Sequence, residues 1–397
     1  MNKRVAVLTG GGDVPGLNAC LKQLTYRAVD AGYDVLGVRK GWEGFLNYEP
    51  NDPSMFSNHF IELTKSRVRA IDQSSGSFLH SSRLDPRHTP ASFFSPAGGV
   101  NVQDAQSRDM TEKIISAIDH LGLSGLVVLG DDDMLHFAAQ LSSTGMPLIA
   151  IPKTIHNNIC GTDYTLGFST GLARGVDFIQ QLRALAGSRE QIVVVETFGE
   201  NSGYSTLLTA FLAGVDRVII PEVPYDPVRL AHLAMLDKQL NPNNYAMVTI
   251  TNGSRIAAQH LEAARGYLSS HNYAEVLFEA ETRTSSSSVF HSGGLIAAEM
   301  LQNITGEEVF CQQLTYLMRT GAPDGQDLLG ASNFALMAIY LLRHEMFGRM
   351  TAFRRGETWT HVDLSEALRQ EKMVDTENWY DSENYRPTDH LIWSAQD

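Results

Sequence analysis

Lys153, Thr154 and His156 follow a short apolar run near the middle of the chain. That run, residues 146–151, predicts a buried strand, and ligands of open α/β sheets bind at the carboxyl ends of strands. An unperturbed histidine has a pKa of roughly 6.5, so a neutral His156 can accept a proton near neutral pH. The pattern therefore indicates a ligand-binding edge that carries a histidine able to accept a proton. The alternative is a loop histidine that forms a hydrogen bond and has no catalytic task.

A glycine-rich segment follows the first predicted strand. Residues 4–9 predict a buried strand, residues 10–16 a loop and residues 17–31 an amphipathic helix. Glycines let backbone N–H groups approach an anion, and a helix N-terminus favours negative charge, so Gly11 and Gly12 are candidate phosphate-binding residues. A tight turn without a ligand is the alternative. The segment matches neither the GxGxxG nor the Walker pattern, which speaks against a nicotinamide-cofactor enzyme.

Three adjacent carboxylates, Asp131 to Asp133, follow a predicted buried strand at residues 125–129. Like charges at this spacing repel one another unless a cation or a bound proton relieves them. The segment therefore predicts a divalent metal site. A strained, solvated turn is the alternative.

Alternating strand and helix patterns predict the elements that position these residues. The strand, loop, helix and further strand (residues 33–39) at the start of the chain are typical of a doubly wound α/β sheet. A chain of 397 residues is long enough for two domains with sizeable cores.

Composition narrows the class of partner. The net charge of −14 argues against a nucleic acid or an anionic membrane surface, because both require a basic face. The three cysteines are not spaced as a zinc site or a disulfide framework, which favours a reducing, cytoplasmic location. The apolar start of the chain ends too early for a signal peptide, and no apolar run is long enough to span a bilayer.

Two of these segments, taken in full, resemble the phosphofructokinase family. Residues 11–19, Gly-Gly-Asp-Val-Pro-Gly-Leu-Asn-Ala, resemble its first nucleotide- or pyrophosphate-binding loop. Residues 152–164 resemble its catalytic loop, whose usual form is Pro-(Gly or Lys)-Thr-Ile-Asp-Asn-Asp followed by Gly-Thr-Asp-Tyr. The resemblance extends from about Val5 to the tail. It implies an α/β fold with two doubly wound (Rossmann-like) domains of phosphofructokinase type.

The resemblance also implies a domain division and a reaction. The expected bounds are 1–167 plus 323–345 for a larger donor-binding domain, 168–322 for a smaller acceptor-binding domain and 346–397 for a tail that packs on the domains. The family transfers a phosphoryl group from ATP or pyrophosphate to the 1-hydroxyl of fructose 6-phosphate. Such a transfer requires positioning, a cation and a proton acceptor, so Mg²⁺ is the expected cofactor.

Most of the donor side matches the family. Asp133 and Lys153 are residues of the pyrophosphate-using members, in which the aspartate blocks the α-phosphate of ATP, so pyrophosphate is favoured over ATP. Arg83 stands where the family places an arginine near the transferred phosphate. The expected donor-binding residues are Gly11, Gly12, Arg83, Asp133 and Lys153, the metal ligand is Asp132, and the catalytic residues are Lys153, Thr154 and His156.

The acceptor side departs from the family. His156 and Asn158 stand where the family has two aspartates, Glu200 replaces an arginine that binds the sugar phosphate, and Gln191 and Phe310 replace two further arginines. Arginine–phosphate contacts supply both orientation and energy, so these losses predict poor binding of ordinary fructose 6-phosphate. The expected acceptor-binding residues are Asn158, Phe198, Gly199, Glu200, Asn252, Tyr316 and Arg319.

Two hypotheses follow from the sequence. The first is a diverged phosphotransferase that uses pyrophosphate, or ATP, and a sugar or sugar phosphate other than ordinary fructose 6-phosphate. The second is a catalytically inactive phosphofructokinase-like subunit that binds and regulates a partner. For the first we expect small-molecule partners only, with no nucleic acid and no membrane, and a homodimer or homotetramer, because the family's sites are shared between subunits.

Overall fold

The computed structural model describes residues 3–52, 55–90, 93, 107–268, 293–356 and 358–388. The chain forms two compact units. The first contains Met1–Gly171 and Arg319–Glu371, and the second contains Leu172–Met318 and Lys372–Asp397. The division at Gly171 lies within a helix, four residues beyond the bound expected from the sequence.

Strands and helices alternate along most of the described chain. The strands are β1 (Lys3–Thr9), β2 (Tyr33–Val38), β3 (Phe60–Leu63), β4 (Leu123–Gly130), β5 (Leu148–Pro152), β6 (Ile192–Thr197), β7 (Arg217–Ile219), β8 (Ala246–Thr251), β9 (Val309–Gln313), β10 (Arg349–Arg354), β11 (Thr358–Asp363), β12 (Tyr380–Asp381) and β13 (Arg386–Pro387). The helices are α1 (Leu17–Asp30), α2 (Trp42–Leu46), α3 (Phe56–His59), α4 (Thr111–His120), α5 (Asp132–Ser143), α6 (Phe168–Arg189), α7 (Tyr204–Ala213), α8 (Pro227–Leu240), α9 (Leu261–Arg265), α10 (Gly293–Thr305), α11 (Gly325–Arg343), α12 (Leu364–Ala367) and α13 (Thr376–Trp379).

The first unit is built on a seven-stranded sheet with the strand order β11-β10-β5-β4-β1-β2-β3. The five central strands are parallel, and β3 and β11 pair antiparallel at the two edges. The side chains of Val5 to Leu8 in β1 and of Leu148 to Ile151 in β5 are fully buried. Parallel strands covered on both faces require such continuous apolar runs, which is why the sequence predicts these strands well.

The second unit is built on a four-stranded parallel sheet with the order β7-β8-β6-β9. Every residue of β6 and β8 is buried. A short antiparallel pair, β12 and β13, belongs to the same unit.

The C-terminal segment, expected as one tail over residues 346–397, is divided between the units. β10 joins the large sheet beside β5, and its residues Met350, Thr351 and Ala352 are buried. The segment belongs to the first unit as far as Glu371 and to the second unit from Lys372 onward. Because β10 pairs with a central strand, this part of the segment is a component of the sheet.

No helix in the described part of the chain combines the length and apolar character needed to cross a lipid bilayer.

Candidate active site

Three neighbouring parallel strands carry the candidate residues at their carboxyl ends. The chain passes from β1 to β2 on one side and later enters β4 on the other side of β1, so the strand order reverses between β1 and β4. Ligands of open α/β sheets bind at such a reversal. Gly11 and Gly12 follow β1, Asp131 to Asp133 follow β4, and Lys153 to His156 follow β5. The fold therefore brings the three candidate segments to one edge of the sheet.

Lys153 lies beneath the glycine loop. Its side chain is only 1% exposed, and its Nζ donates a hydrogen bond to the carbonyl oxygen of Gly12 at 2.6 Å. The Asp131 carboxylate lies 3.9 Å from the same Nζ and accepts a 2.8 Å hydrogen bond from the Gly12 N–H. Burial lowers the pKa of Lys153 to about 8, although Asp131 opposes that shift. Lys153 is thus charged at neutral pH and loses its charge in mildly alkaline solution.

The two glycines are required by close contacts. A Cβ on Gly11 would lie 2.0 Å from Asp131 Oδ2, and the φ angle of Gly11 is +78°, a left-handed conformation that glycine adopts without strain. A Cβ on Gly12 would lie 1.8 Å from Nη1 of Arg319. The loop therefore has a carboxylate against one glycine and a guanidinium against the next.

His156 lies beside Arg319 in the same unit. Nη2 of Arg319 is 3.3 Å from Nε2 of His156, and because a guanidinium only donates, Nε2 is the acceptor and Nδ1 carries the proton. Burial, together with the positive charges of Arg319 and Arg83, lowers the pKa of His156 to about 3. The imidazole is therefore neutral throughout the physiological pH range.

The turn that presents His156 is fixed by Asn157, which the sequence analysis did not single out. Asn157 is fully buried and has a φ angle of +53°, a conformation that asparagine tolerates better than most residues. Its side chain donates to the carbonyl oxygen of Asp163 at 3.0 Å. Thr165 Oγ1 donates to the carbonyl oxygen of Thr154 at 2.7 Å, and the Thr154 hydroxyl accepts the His156 N–H at 3.1 Å. The loop around the imidazole is therefore held at both ends.

One comparison decides the family. A sequence model described as Phosphofructokinase matches residues 4–342, which is most of the chain. The chain belongs to the phosphofructokinase family. The expectations of this family and of its α/β fold with Rossmann-like domains are thereby confirmed.

Relatives of similar length support the assignment. The ATP-dependent 6-phosphofructokinase of Chloroflexus aurantiacus is 29% identical over 367 residues, covering 92% of this chain and 91% of that protein. The ATP-dependent 6-phosphofructokinase 3 of Streptomyces coelicolor is 28% identical over 382 residues, covering 96% and 99%. Among solved structures, the pyrophosphate-dependent phosphofructokinase from Marinobacter aquaeolei has a TM-score of 0.72 at 15% identity, covering 98% and 89%, a likeness of fold.

Asp132 remains the candidate metal ligand of this phosphofructokinase-family chain. Burial raises the pKa of its carboxyl to about 6; His136 opposes the shift, and the charges of Glu371, Asp133 and Asp131 contribute to it. Bound Mg²⁺ typically uses one or two carboxylates plus substrate phosphates, so a crowded carboxylate at the sheet edge fits it. Within the described residues no group of three or more histidine, cysteine or carboxylate side chains is placed to hold a metal ion.

Three predicted donor-side residues meet in a single pocket. Gly11, Arg83 and Asp133 line it together with Asp131. The other lining residues are Trp42, Leu84, Asp85, Pro86, Met134 and Phe137. The structure therefore brings these residues together around one small cavity.

The predicted acceptor residues are divided between the units. In the second unit, Asn252 Oδ1 accepts the Gly199 N–H at 2.9 Å, and Phe198 packs edge-to-face on Tyr316 with ring centroids 5.2 Å apart. Glu200 is exposed beside them. Asn158 and Arg319 belong to the first unit. In the second unit, the hydrogen bond from the Gly199 N–H shows that the side-chain oxygen of Asn252 supports the loop at Gly199.

Two contributions to the site come from residues distant in sequence. Glu371 accepts a 2.7 Å hydrogen bond from the side chain of Asn158, 213 positions away, and no sequence pattern indicates that pairing. Asp327, near the start of α11, accepts hydrogen bonds from the backbone N–H groups of Gly167 and Thr170 at 2.7 and 2.8 Å. The one sequence feature that points to Asp327 is its place three residues after Asp324, which caps α11.

Proposed function

We propose that the chain transfers a phosphoryl group from inorganic pyrophosphate, or from ATP, to a hydroxyl of a sugar or sugar phosphate in a Mg²⁺-dependent reaction. Family membership supports the reaction class. Lys153 and Asp133, both residues of the pyrophosphate-using pattern, support pyrophosphate as the favoured donor. The relatives named above are ATP-dependent 6-phosphofructokinases, so ATP and fructose 6-phosphate are the reference substrates for any test.

The observation that carries the proposal is the neutral imidazole of His156. Its pKa of about 3 is close to the roughly 3.9 of an unperturbed aspartate. An imidazole in this environment therefore has a base strength similar to that of an unperturbed aspartate carboxylate, the side-chain type that the family uses at this position. The presence of His156 in place of the family's aspartate also removes a negative charge from a site that must hold an anionic phosphoryl donor.

The proposed step assigns a task to each group. The acceptor hydroxyl would replace Arg319 at Nε2 of His156 and lose its proton to that nitrogen while its oxygen forms a bond to the transferred phosphorus. The bond from that phosphorus to the bridging oxygen of the donor breaks, and inorganic phosphate or ADP leaves. Arg319 and Lys153 would stabilise the charge on the phosphate oxygens. Mg²⁺, held by Asp132 and the phosphates, would supply further charge neutralisation.

The acceptor that we propose differs from ordinary fructose 6-phosphate. Glu200 places an exposed negative charge where the family has an arginine, and a sugar phosphate would be repelled there. The side-chain oxygen of Asn252 already accepts the Gly199 N–H, and the neutral amide lacks the negative charge of the glutamate that the family has at this position. A cytoplasmic homodimer or homotetramer is part of the same proposal, following the family's shared sites.

The first test is an acceptor screen with each donor. The protein and Mg²⁺ are incubated with pyrophosphate or ATP and, separately, fructose 6-phosphate, fructose, glucose 6-phosphate or ribose 5-phosphate. Acceptor-dependent release of inorganic phosphate or ADP is measured. We expect turnover with pyrophosphate to exceed turnover with ATP, and fructose 6-phosphate to be a poor acceptor. Absence of acceptor-dependent turnover with either donor would reject the phosphotransferase proposal for this panel.

A binding measurement on the same samples tests the second candidate, the inactive regulatory subunit. The contact of the Asp131 carboxylate with the Gly12 N–H favours this candidate. The carboxylate occupies a hydrogen-bonding group that would otherwise hold the phosphoryl donor in place for transfer. A ligand at about a hundred times its dissociation constant stabilises a protein by about 2.7 kcal/mol, which a thermal-shift assay detects. Stabilisation by pyrophosphate or ATP without turnover would support the regulatory subunit. Stabilisation with turnover would exclude it.

Lys153 gives the donor site an expected pH dependence. Its ammonium is charged below a pKa of about 8, and an anionic donor binds the charged form better. Above that pH, Lys153 must take up a proton before it binds the anionic donor. The affinity for Mg²⁺-pyrophosphate should therefore fall by up to about tenfold per pH unit. Isothermal titration calorimetry between pH 7 and pH 10 measures this slope. In Lys153→Met the same titration reports only the ionisation of the ligand, so parallel curves for the two proteins would contradict the assignment.

A further inference from the structure

Asp131 has an unusual orientation for its position in the fold. It is the N-cap residue of α5, where an aspartate ordinarily accepts a hydrogen bond from the first turn of its own helix. Its side chain makes no such bond. The carboxylate instead turns toward the loop after β1, where Oδ2 accepts the Gly12 N–H at 2.8 Å. The side chain thus gives up its usual capping contact for a contact with the glycine loop.

The groups around this carboxylate are those that bind phosphate. Backbone N–H groups of a glycine loop and a lysine ammonium are the usual partners of a phosphate oxygen. Oδ2 is 2.8 Å from the Gly12 nitrogen and 3.9 Å from the Lys153 ammonium. Oδ1 is buried and has no hydrogen-bond partner among the residues that the structure describes. One oxygen of the carboxylate therefore stands where an oxygen of a phosphate donor would be bound.

The carboxylate also fills the space over the loop. An ideal Cβ on Gly11 would lie 2.0 to 2.1 Å from Oδ1, Oδ2 and Cγ of Asp131, so the carboxylate lies flat against that glycine. Only 23% of the Asp131 side chain is exposed. A phosphate group and this carboxylate cannot occupy the loop together.

We propose that Asp131 is a built-in competitor of the phosphoryl donor and thereby sets the donor affinity of this site. The inference rests on the proposed function, because it takes the glycine loop as the donor site. A donor phosphate binds only after the Asp131 side chain has left the Gly12 N–H and Lys153. Its charge also opposes the approach of an anion, since two like charges about 4 Å apart repel appreciably at the dielectric of a protein surface.

Two substitutions separate charge from volume. Asp131→Asn keeps the size of the side chain and an oxygen that can accept the Gly12 N–H, and it removes the charge. Asp131→Gly removes both, and the φ angle of −84° and ψ angle of −174° at this position are compatible with glycine. Asp119→Asn, at an exposed position of α4, gives the same change of net charge away from the site.

The experiment measures binding of inorganic pyrophosphate by isothermal titration calorimetry in excess Mg²⁺. We expect Asp131→Gly to bind at least about tenfold more tightly than the natural protein, because both repulsion and occlusion are relieved. Asp131→Asn should show an intermediate gain, and Asp119→Asn none. Equal or weaker binding in both Asp131 variants would overturn the inference. A gain in Asp119→Asn equal to theirs would also overturn it, because net charge alone would then explain the effect.

This test stands apart from the acceptor screen. Tighter pyrophosphate binding in the Asp131 variants of a protein without turnover would sustain the competitor role and reject the phosphotransferase. Turnover in the natural protein, with no gain in the Asp131 variants, would sustain the phosphotransferase and reject the competitor role.

Discussion

Replacing His156 by alanine is expected to lower kcat by about 10²–10⁴-fold, the usual contribution of a positioned general base. The imidazole is the neutral group that the fold places beside Arg319. Its removal leaves the backbone of the loop in place, since Asn157 and Thr165 hold that turn through hydrogen bonds of their own. The loss should therefore appear in the chemical step.

The kinetic pattern distinguishes a base from a structural residue. With the best acceptor found in the screen, the KM for the donor and the dissociation constant of pyrophosphate should be unchanged in His156→Ala. His232→Ala, at an exposed position of α8, is the matched control and should retain full activity. Turnover of His156→Ala equal to that of the natural protein would show that the imidazole is not the base.

The pH profile offers a second readout of the same residue. Because burial and two arginines hold the pKa of His156 at about 3, the base is already deprotonated at pH 5. The profile of kcat/KM, which reports groups of the free enzyme, should therefore have no acidic limb from His156 between about pH 5 and pH 8. A limb near the unperturbed histidine pKa that disappears in His156→Ala would contradict the buried, neutral state.

Replacing Asp327 by asparagine is expected to destabilise the first unit by about 3 kcal/mol or more, the usual cost of breaking a buried charged network. The Asp327 carboxylate is fully buried and accepts hydrogen bonds from the Tyr164 hydroxyl, the Gly167 N–H and both the N–H and the hydroxyl of Thr170. An amide would direct its own N–H₂ group at one pair of these donors. Burial raises the pKa of the Asp327 carboxyl, and these hydrogen bonds oppose the shift.

Urea unfolding followed by tryptophan fluorescence measures the loss, since Trp359 packs edge-to-face on Tyr164 and Phe334 in the same unit. The control is Asp324→Asn. Its carboxylate is partly exposed and caps α11 by accepting the Asp327 N–H at 2.8 Å, so a loss of about 1 kcal/mol is expected. Equal losses in the two variants would contradict the central role of Asp327.

The Asp327 network also bears on the site. The segment that follows the His156 loop contains three partners of Asp327, namely Tyr164, Gly167 and Thr170. Asp327 therefore fixes the path of that segment against α11. Sequence patterns assign no task to Asp327, because its partners Tyr164, Gly167 and Thr170 lie 163, 160 and 157 residues away. A contact over such a separation leaves no periodic pattern in the sequence.

The amino-acid sequence determined the family and the elements that carry the site. β1, β4 and β5 are apolar runs whose parallel pairing buries both faces, and such runs are visible without a structure. The glycine loop and the segment from Lys153 to His156 were identified by residue type and order, because these loops require particular side chains at fixed spacing. Family membership follows from the same residues.

Only the tertiary structure decided what individual side chains do at the sheet edge. From sequence, Asp131 is one of three repelling carboxylates, whereas the fold turns it onto Gly12 and away from its own helix. The pKa values of His156 and Lys153 depend on burial and on charges from distant segments, among them Arg319. Orientation, desolvation and long-range charge are properties of the packed chain, so spacing along the sequence cannot specify them.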